Sequence, residues 1–407
     1  MRILHADHVL PGDERPIADG AVVVDDGEVI AVGRASAVLP AHAGAPIERI
    51  HGVLFPGTVN AHVHLELSAL HGRVPGGCGF VRWVDDLIDL RAELDEEESK
   101  EGIDLAVHAL RGFATEAVGE VTNTLGAVTA LARAGIGGWI FHEIFGKDRD
   151  GVLKRIAGLP NEVAQRLPAW PTRDLDYAPA PHTLYTTHFD AVRALAEAAF
   201  ARDLRTSLHL AEHASERRAI EQGDGPMVDW FEGKTKQRSE WPCVPLFDYA
   251  EVVGVLHPAM VLVHLTDARP DELKRVAESG ASVVLCPRSN LHIENRLPPL
   301  LTMLEAGLAP ALGTDSLASN ASLDVLAEAR TLHERFLTVP AWEIVRMATW
   351  NGARALGRTD LGRIAKGARP GLYAVEGDVV GDAAAHLLVQ VGLPRRRVVP
   401  RLPEGRA

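Results

Sequence analysis

An α/β chain is expected here, organised as a (β/α)8 TIM-type barrel with a small β-sandwich domain formed from both chain ends. Three observations predict it. From about Phe55 to Leu356, brief apolar runs alternate with longer segments whose apolar residues recur every three or four positions; eight such runs can be counted; and both chain ends have strand texture without helical period. Repeated strand–helix units argue for parallel strands joined by crossover helices. Eight of them argue for closure into a barrel. The alternative is an open doubly wound sheet, but no GxGxxG follows the first run.

Taken in order, residues 21–24 and 29–32 flank the turn Asp25-Asp26-Gly27 and read as a hairpin. The eight runs are 57–64, 120–125, 137–145, 176–185, 205–211, 260–265, 282–286 and 309–314. Between the first two, Ile103, Ala106, Val107, Leu110 and Ala114 share one helical face. The acidic run 93–98 reads as the solvated side or the start of that helix rather than a binding site. At the other end, 371–375 and 387–391 read as strands. Because termini often lie close together, the two ends are expected to pair. The division is then 57–356 for the barrel, and 1–56 plus 357–407 for the small domain.

Composition narrows the function. With 407 residues, 46% hydrophobic and 24% charged, the chain has ordinary globular make-up and ample core material. Its net charge of −13 repels phosphate backbones, so nucleic acid is disfavoured as a partner. Cys78, Cys243 and Cys286 are too few and too scattered for a disulfide framework or a CxxC zinc site, which suits a reducing compartment. No run of 18 apolar residues exists, and the first dozen residues lack a signal-peptide pattern. A cytoplasmic enzyme acting on a small molecule, with no membrane partner, is expected. Whether it forms a homodimer is left open.

Polar residues near the C-terminal ends of the runs carry the chemistry. The first run ends His62-Val63-His64, and strand side chains two apart point the same way, so both imidazoles can converge on one ion. The fifth run gives His209-Leu210-Ala211-Glu212, the sixth ends in His264, and the eighth leads into Gly313-Thr314-Asp315. Any one of these is commonplace; a lone strand-end histidine is more often structural than a ligand. Imidazoles and a carboxylate on four strands, at the face where barrel enzymes work, fit a catalytic metal site. A set of imidazoles with one carboxylate and no thiolate suits Zn²⁺, with Fe²⁺ the alternative. Such a site generates hydroxide near neutral pH. No HExxH is present, since His142-Glu143 continues Ile144-Phe145-Gly146, and the HxE…PCxxC pattern is also absent.

His62/His64, His209, His264 and Asp315, in this order, resemble the amidohydrolase superfamily over nearly the whole chain. Ala180-Pro181-His182, the run 286–290 and Leu312-Gly313-Thr314-Asp315 are similar to its aminohydrolase branch, which acts on purine-like rings. Residues 64–68 with 80–84, 223–230 leading to Trp241-Pro242, and 313–320 resemble the aminodeoxyfutalosine deaminases of a menaquinone route. The resemblance implies a hydrolytic deaminase turning a 6-aminopurine nucleoside, 6-amino-6-deoxyfutalosine, into its 6-oxo form with release of ammonia. Deaminases of S-adenosylhomocysteine, methylthioadenosine or adenosine, or hydrolases of triazine- or guanine-like C–N bonds, are the alternatives. The tail 367–372 departs from the pattern of relatives, which carry an Ala-Asp pair there. The fourth run has no lysine for a bridging carboxylate, so one metal is expected.

By this resemblance His62, His64, His209 and Asp315 hold the metal. Asp315 also accepts the water's proton, His264 stabilises the growing oxyanion, and Glu212 protonates the ring nitrogen. Substrate contacts are expected from Glu66, Trp83, His182, Glu212, Arg288 and Asn290. Trp83 equally suits core packing. Arg288 equally suits bracing of neighbouring loops; otherwise its guanidinium would pair with the benzoate carboxylate of aminodeoxyfutalosine. His142, His188, His213 and His292 have no assigned role.

Overall fold

A computed structural model describes residues 1–236, 240–390 and 395–401. Fourteen strands are present among them. The N-terminal strands are β1 (Arg2–Val9), β2 (Ile17–Asp25), β3 (Glu28–Arg34) and β4 (Ile47–Pro56). The central ones are β5 (Thr58–Val63), β6 (Thr115–Thr122), β7 (Gly137–Ile144), β8 (Leu175–Pro181), β9 (Thr206–Leu210), β10 (Met260–His264), β11 (Ser282–Leu285) and β12 (Ala311–Leu312). Near the C-terminus lie β13 (Leu372–Glu376) and β14 (Arg396–Val399).

Each of the eight expected runs overlaps one central strand. They pair in parallel as two four-stranded sheets, β5-β6-β7-β8 and β12-β11-β10-β9. Isolated parallel bridges join Val63 to Asp315 and Thr183 to His209, linking the outer strands of the two sheets. Small side chains from both sheets share one buried cluster, including Ala61, Ala117, Ala178, Val261, Val284 and Ala311. The same cluster takes in the larger Trp139 and Phe141 of β7, so small and bulky side chains fill the interior together.

The terminal strands pair with each other as expected, in one six-stranded sheet ordered β14-β13-β4-β1-β2-β3. The hairpin is β2–β3, and β13 runs antiparallel to β4 with Tyr373 opposite Phe55. Among the described residues these strands form a single sheet, so two facing layers of a sandwich are not seen as separate sheets. One expectation is corrected. Residues 387–390 are not strand: Ala383–Val389 is a helix, its N-terminus capped by the Asp382 carboxylate accepting from the Ala385 amide. Val391 lies outside the described residues, as do 402–407.

The acidic run is the start of a helix. Glu96–Gly112 is capped by Asp95, which exchanges hydrogen bonds with Glu98, and buries Ile103, Ala106, Val107 and Leu110. Ala114 falls beyond its end at φ +61°, so it leaves that face. No helix is long and apolar enough to cross a membrane among the described residues.

Candidate active site

Four of the central strands deliver their last residues to one point. His62 is buried on β5, and His64 follows just beyond that strand; His209 sits on β9. Ligand atoms of these three lie within 4.8 Å of one another. His64 Nε2 is 3.3 Å from His209 Nε2. Asp315 Oδ1 is 3.8 Å from His62 Nε2 and 3.7 Å from His64 Nε2. Neither ring nitrogen of His62 has a hydrogen-bond partner among the described residues. Buried donors without partners are costly unless something else takes them up. Burial pushes His62 below its ordinary range, with the neighbouring imidazoles adding to it, and pushes His209 down to about 3. Neutral imidazoles with lone pairs facing a common point, beside a carboxylate, fit one divalent cation.

The supporting contacts orient these groups. His209 Nδ1 donates to the His182 carbonyl at 3.1 Å, which leaves Nε2 free to face His64. The Asp315 Oδ2 accepts from Ser289 Oγ at 2.6 Å and Ser319 Oγ at 3.0 Å, leaving Oδ1 toward the histidines. Burial raises the Asp315 pKa, but the facing imidazoles of His64 and His264 and the Ser289 hydrogen bond outweigh it, so this carboxyl sits below its ordinary value. Gly313 lies against His62, where a Cβ would come within 2.7 Å of the His62 carbonyl oxygen. Asn60 exchanges hydrogen bonds with Thr314 at 2.7 and 3.1 Å, fastening β5 to the residues after β12. Ala211, His264 and Asp315 hold left-handed backbone at φ +50°, +77° and +56°. Such conformations cost a non-glycine residue about 1–3 kcal/mol and gather at functional sites.

Glu212 and His264 complete the cluster. Glu212 Oε1 lies 3.6 Å from His264 Nε2. Burial, reinforced by the Asp315 charge, raises the Glu212 pKa well above its ordinary value, as a proton donor requires. His264, lowered to about 4 by burial, receives the Asn290 amide at Nδ1 (3.3 Å), which places its ring proton on Nε2.

A cavity of about 540 Å³ opens over this cluster, with His64, His209, Glu212, His264 and Asp315 in its wall. Glu66, Trp83 and His182 line it as expected. Glu66 is already heavily engaged: Oε1 accepts from Arg91, and Oε2 from Thr122, Thr124 and the Asn123 and Thr124 amides. Arg288 and Asn290, also expected to contact substrate, are not among the residues lining this cavity. Arg288 sits beside the buried Glu328, which accepts from its backbone amide. Asn290 is turned toward His264 instead. Three groups escaped the sequence reading as site members. Ser289 and Ser319 stood inside motifs already singled out, so their position was the available signal. Lys147, on a loop after β7, offered none. A second group of potential ligands, Glu143, His182 and His209, shares His209 with the first. His142 and His213 are buried outside the cluster.

A family model described as the amidohydrolase family matches residues 53–393. The chain belongs to the amidohydrolase family. Among curated relatives of this amidohydrolase, the 5-methylthioadenosine/S-adenosylhomocysteine deaminase of Halobacterium salinarum is 33% identical over 389 residues, covering 91% of this chain and 84% of that protein. The aminodeoxyfutalosine deaminase of Deinococcus radiodurans is 28% identical over 365 residues, covering 88% and 86%. The crystal structure of Helicobacter pylori aminofutalosine deaminase, in complex with methylthio-coformycin, superposes with a TM-score of 0.85 at 22% identity, covering 96% of each chain. This amidohydrolase is accordingly an enzyme that cleaves C–N bonds hydrolytically.

Proposed function

We propose that the protein is a metal-dependent deaminase that exchanges the 6-amino group of a 6-aminopurine nucleoside for oxygen, with aminodeoxyfutalosine as its substrate. One observation supports the reading: Glu212, raised well above its ordinary pKa by burial, and an oriented His264 share a cavity wall with His64, His209 and Asp315, beneath which His62 completes three convergent imidazoles. In this reading His62, His64, His209 and Asp315 hold one divalent ion, Zn²⁺ in preference to Fe²⁺. When bound, the ion supplies Lewis acidity and makes a water molecule acidic near neutral pH. Asp315, with Oδ2 anchored by two serines, uses Oδ1 to take a proton from that water. Glu212 delivers a proton to the ring nitrogen beside the attacked carbon, which makes the carbon electrophilic. His264 Nε2–H donates to the oxygen on which charge develops. The proton held by Asp315 passes to the amino group, the C–N bond breaks and ammonia leaves, while the new hydroxyl returns a proton to Glu212 and the 6-oxo purine remains. Glu66, Trp83 and His182 contact the nucleoside.

The fold reading that goes with this treats the two bridged sheets as a single closed (β/α)8 barrel over 57–356. The small β domain is then 1–56 with 357–407.

A second reading, deamination of methylthioadenosine or S-adenosylhomocysteine, is favoured by the Halobacterium salinarum relative. Ammonia release from aminodeoxyfutalosine, methylthioadenosine, S-adenosylhomocysteine and adenosine tests both. Aminodeoxyfutalosine is expected to have the highest kcat/KM. The reverse ranking selects the second reading, and no release from any of the four overturns both.

A further inference from the structure

Among the described residues, Arg91 and Lys147 are the arginine and lysine side chains in the cavity wall, and Arg91 is already satisfied. Arg91 donates to Glu66 at 2.8 Å and to Asn123 at 3.3 Å. Lys147, half-buried in the same wall, forms no ion pair or hydrogen bond among the described residues. Its ammonium instead lies 4.7 Å from the centre of the Trp241 ring. The adjacent Asp148 carboxylate is occupied elsewhere, capping a helix through the Gly151 amide. Burial alone pushes the Lys147 pKa down to about 8, with no neighbouring carboxylate opposing the shift. A charge taken out of water without a counter-ion is unfavourable, and a bound anion would remove the cost. Around it the wall is apolar and partly open: Phe145 is 49% exposed and Ile88 42%, and Phe231 meets Trp241 edge-on.

We propose that Lys147 is a specificity-determining residue that pairs with a carboxylate on the substrate, the apolar part next to that carboxylate lying along Phe145 and Phe231. The inference rests on the deaminase reading and narrows it to nucleosides that carry an acidic, apolar-bodied 5′ extension. It also supplies, from a different strand end, the cation that Arg288 does not bring to the cavity.

The test compares wild type, Lys147→Met and Lys147→Arg on aminodeoxyfutalosine, its carboxylate methyl ester and methylthioadenosine, measured as kcat and KM. Lys147→Met is expected to lower kcat/KM for the acid by about 10- to 100-fold through KM, while changing the ester and methylthioadenosine by less than about threefold. Lys147→Arg should keep most of the preference for acid over ester. Lys147→Gln replaces the Met variant if that one fails to fold. An equal fall on acid and ester, or no fall on either, overturns the role of Lys147 and leaves the deaminase reading standing. A wild-type enzyme releasing ammonia from none of the three overturns the deaminase reading, and this inference with it.

Discussion

Glu212 is the side chain on which the proposed chemistry turns, because in that reading, without a proton on the ring nitrogen, the attacked carbon has no place to send electrons. Its burial and the Asp315 charge beside it raise the carboxyl well above its ordinary range, the direction a proton donor needs. Glu212→Gln should therefore keep the divalent metal, measured by elemental analysis, yet lose about 10²- to 10⁴-fold in kcat; full turnover in this variant discards the proton-donor role. Lys147 permits a prediction of opposite kind. Its folded pKa of about 8 lies below the ordinary 10.5, so the unfolded chain binds more protons between those values and stability rises with pH through that window. Lys147→Met removes the penalty. Its urea midpoint should exceed that of wild type at pH 7.5, and the gain should shrink by pH 10. At this scale the convergence of His62, His64, His209 and Asp315 was legible because strand alternation and strand-end position place them together. The aim of Arg288 and Asn290 was not, since in a helix following a strand a side chain's direction depends on turn geometry that no short motif states. Ser289 and Ser319 show the same limit: hydroxyls acquire a role only when folding sets a carboxylate beside them.

Strand ends, rather than whole strands, do the positioning. Ala211, His264 and Asp315 turn left-handed where β9, β10 and β12 finish, and Gly313 allows β12 to pass against His62. Gly313→Ala would set a methyl group 2.7 Å from the His62 carbonyl oxygen. Backbone, unlike a long side chain, cannot swing away from it. We expect about 1–3 kcal/mol lost from stability and weaker metal retention, read by chemical denaturation and by metal content after dialysis against a chelator; unchanged values would mean that β12 has slack. The eight parallel strands were legible from apolar runs, but β6 was placed too late, at 120–125 instead of Thr115–Thr122. Its buried Glu116 and Glu120 hide the apolar pattern. Glu116 binds Arg111, Arg401 and Tyr373, and Glu120 accepts from the Leu65 amide. The helix Ala383–Val389 reads as strand in sequence because the apolar residues Leu387, Leu388 and Val389 alone carry no helical period, while its Asp382 cap lies several residues earlier.

At the level of the whole chain, the C-terminal segment ties the six-stranded sheet to the strands that carry the site. Arg401 is buried and pairs with Glu116 on β6 and with Asp174 just before β8. Arg395 forms an almost fully buried pair with Asp324 and also donates to the Phe113 carbonyl at 2.6 Å. Asp324 in turn caps the helix Val325–Arg335 through the Leu326 amide. That helix supplies Glu328, which accepts from Asn320 in the loop after Asp315. A route of direct contacts thus runs from the tail to the candidate metal site. Removing one partner of a buried pair strands the other charge in a dry setting, at a cost of about 3–5 kcal/mol. Arg395→Met should lower unfolding stability by about that much, and the double variant Arg395→Met/Asp324→Asn should recover part of the loss, because no charge is then left alone. If the tail merely rests on the central strands, the single variant will unfold at the wild-type urea midpoint and the second substitution will have nothing to restore.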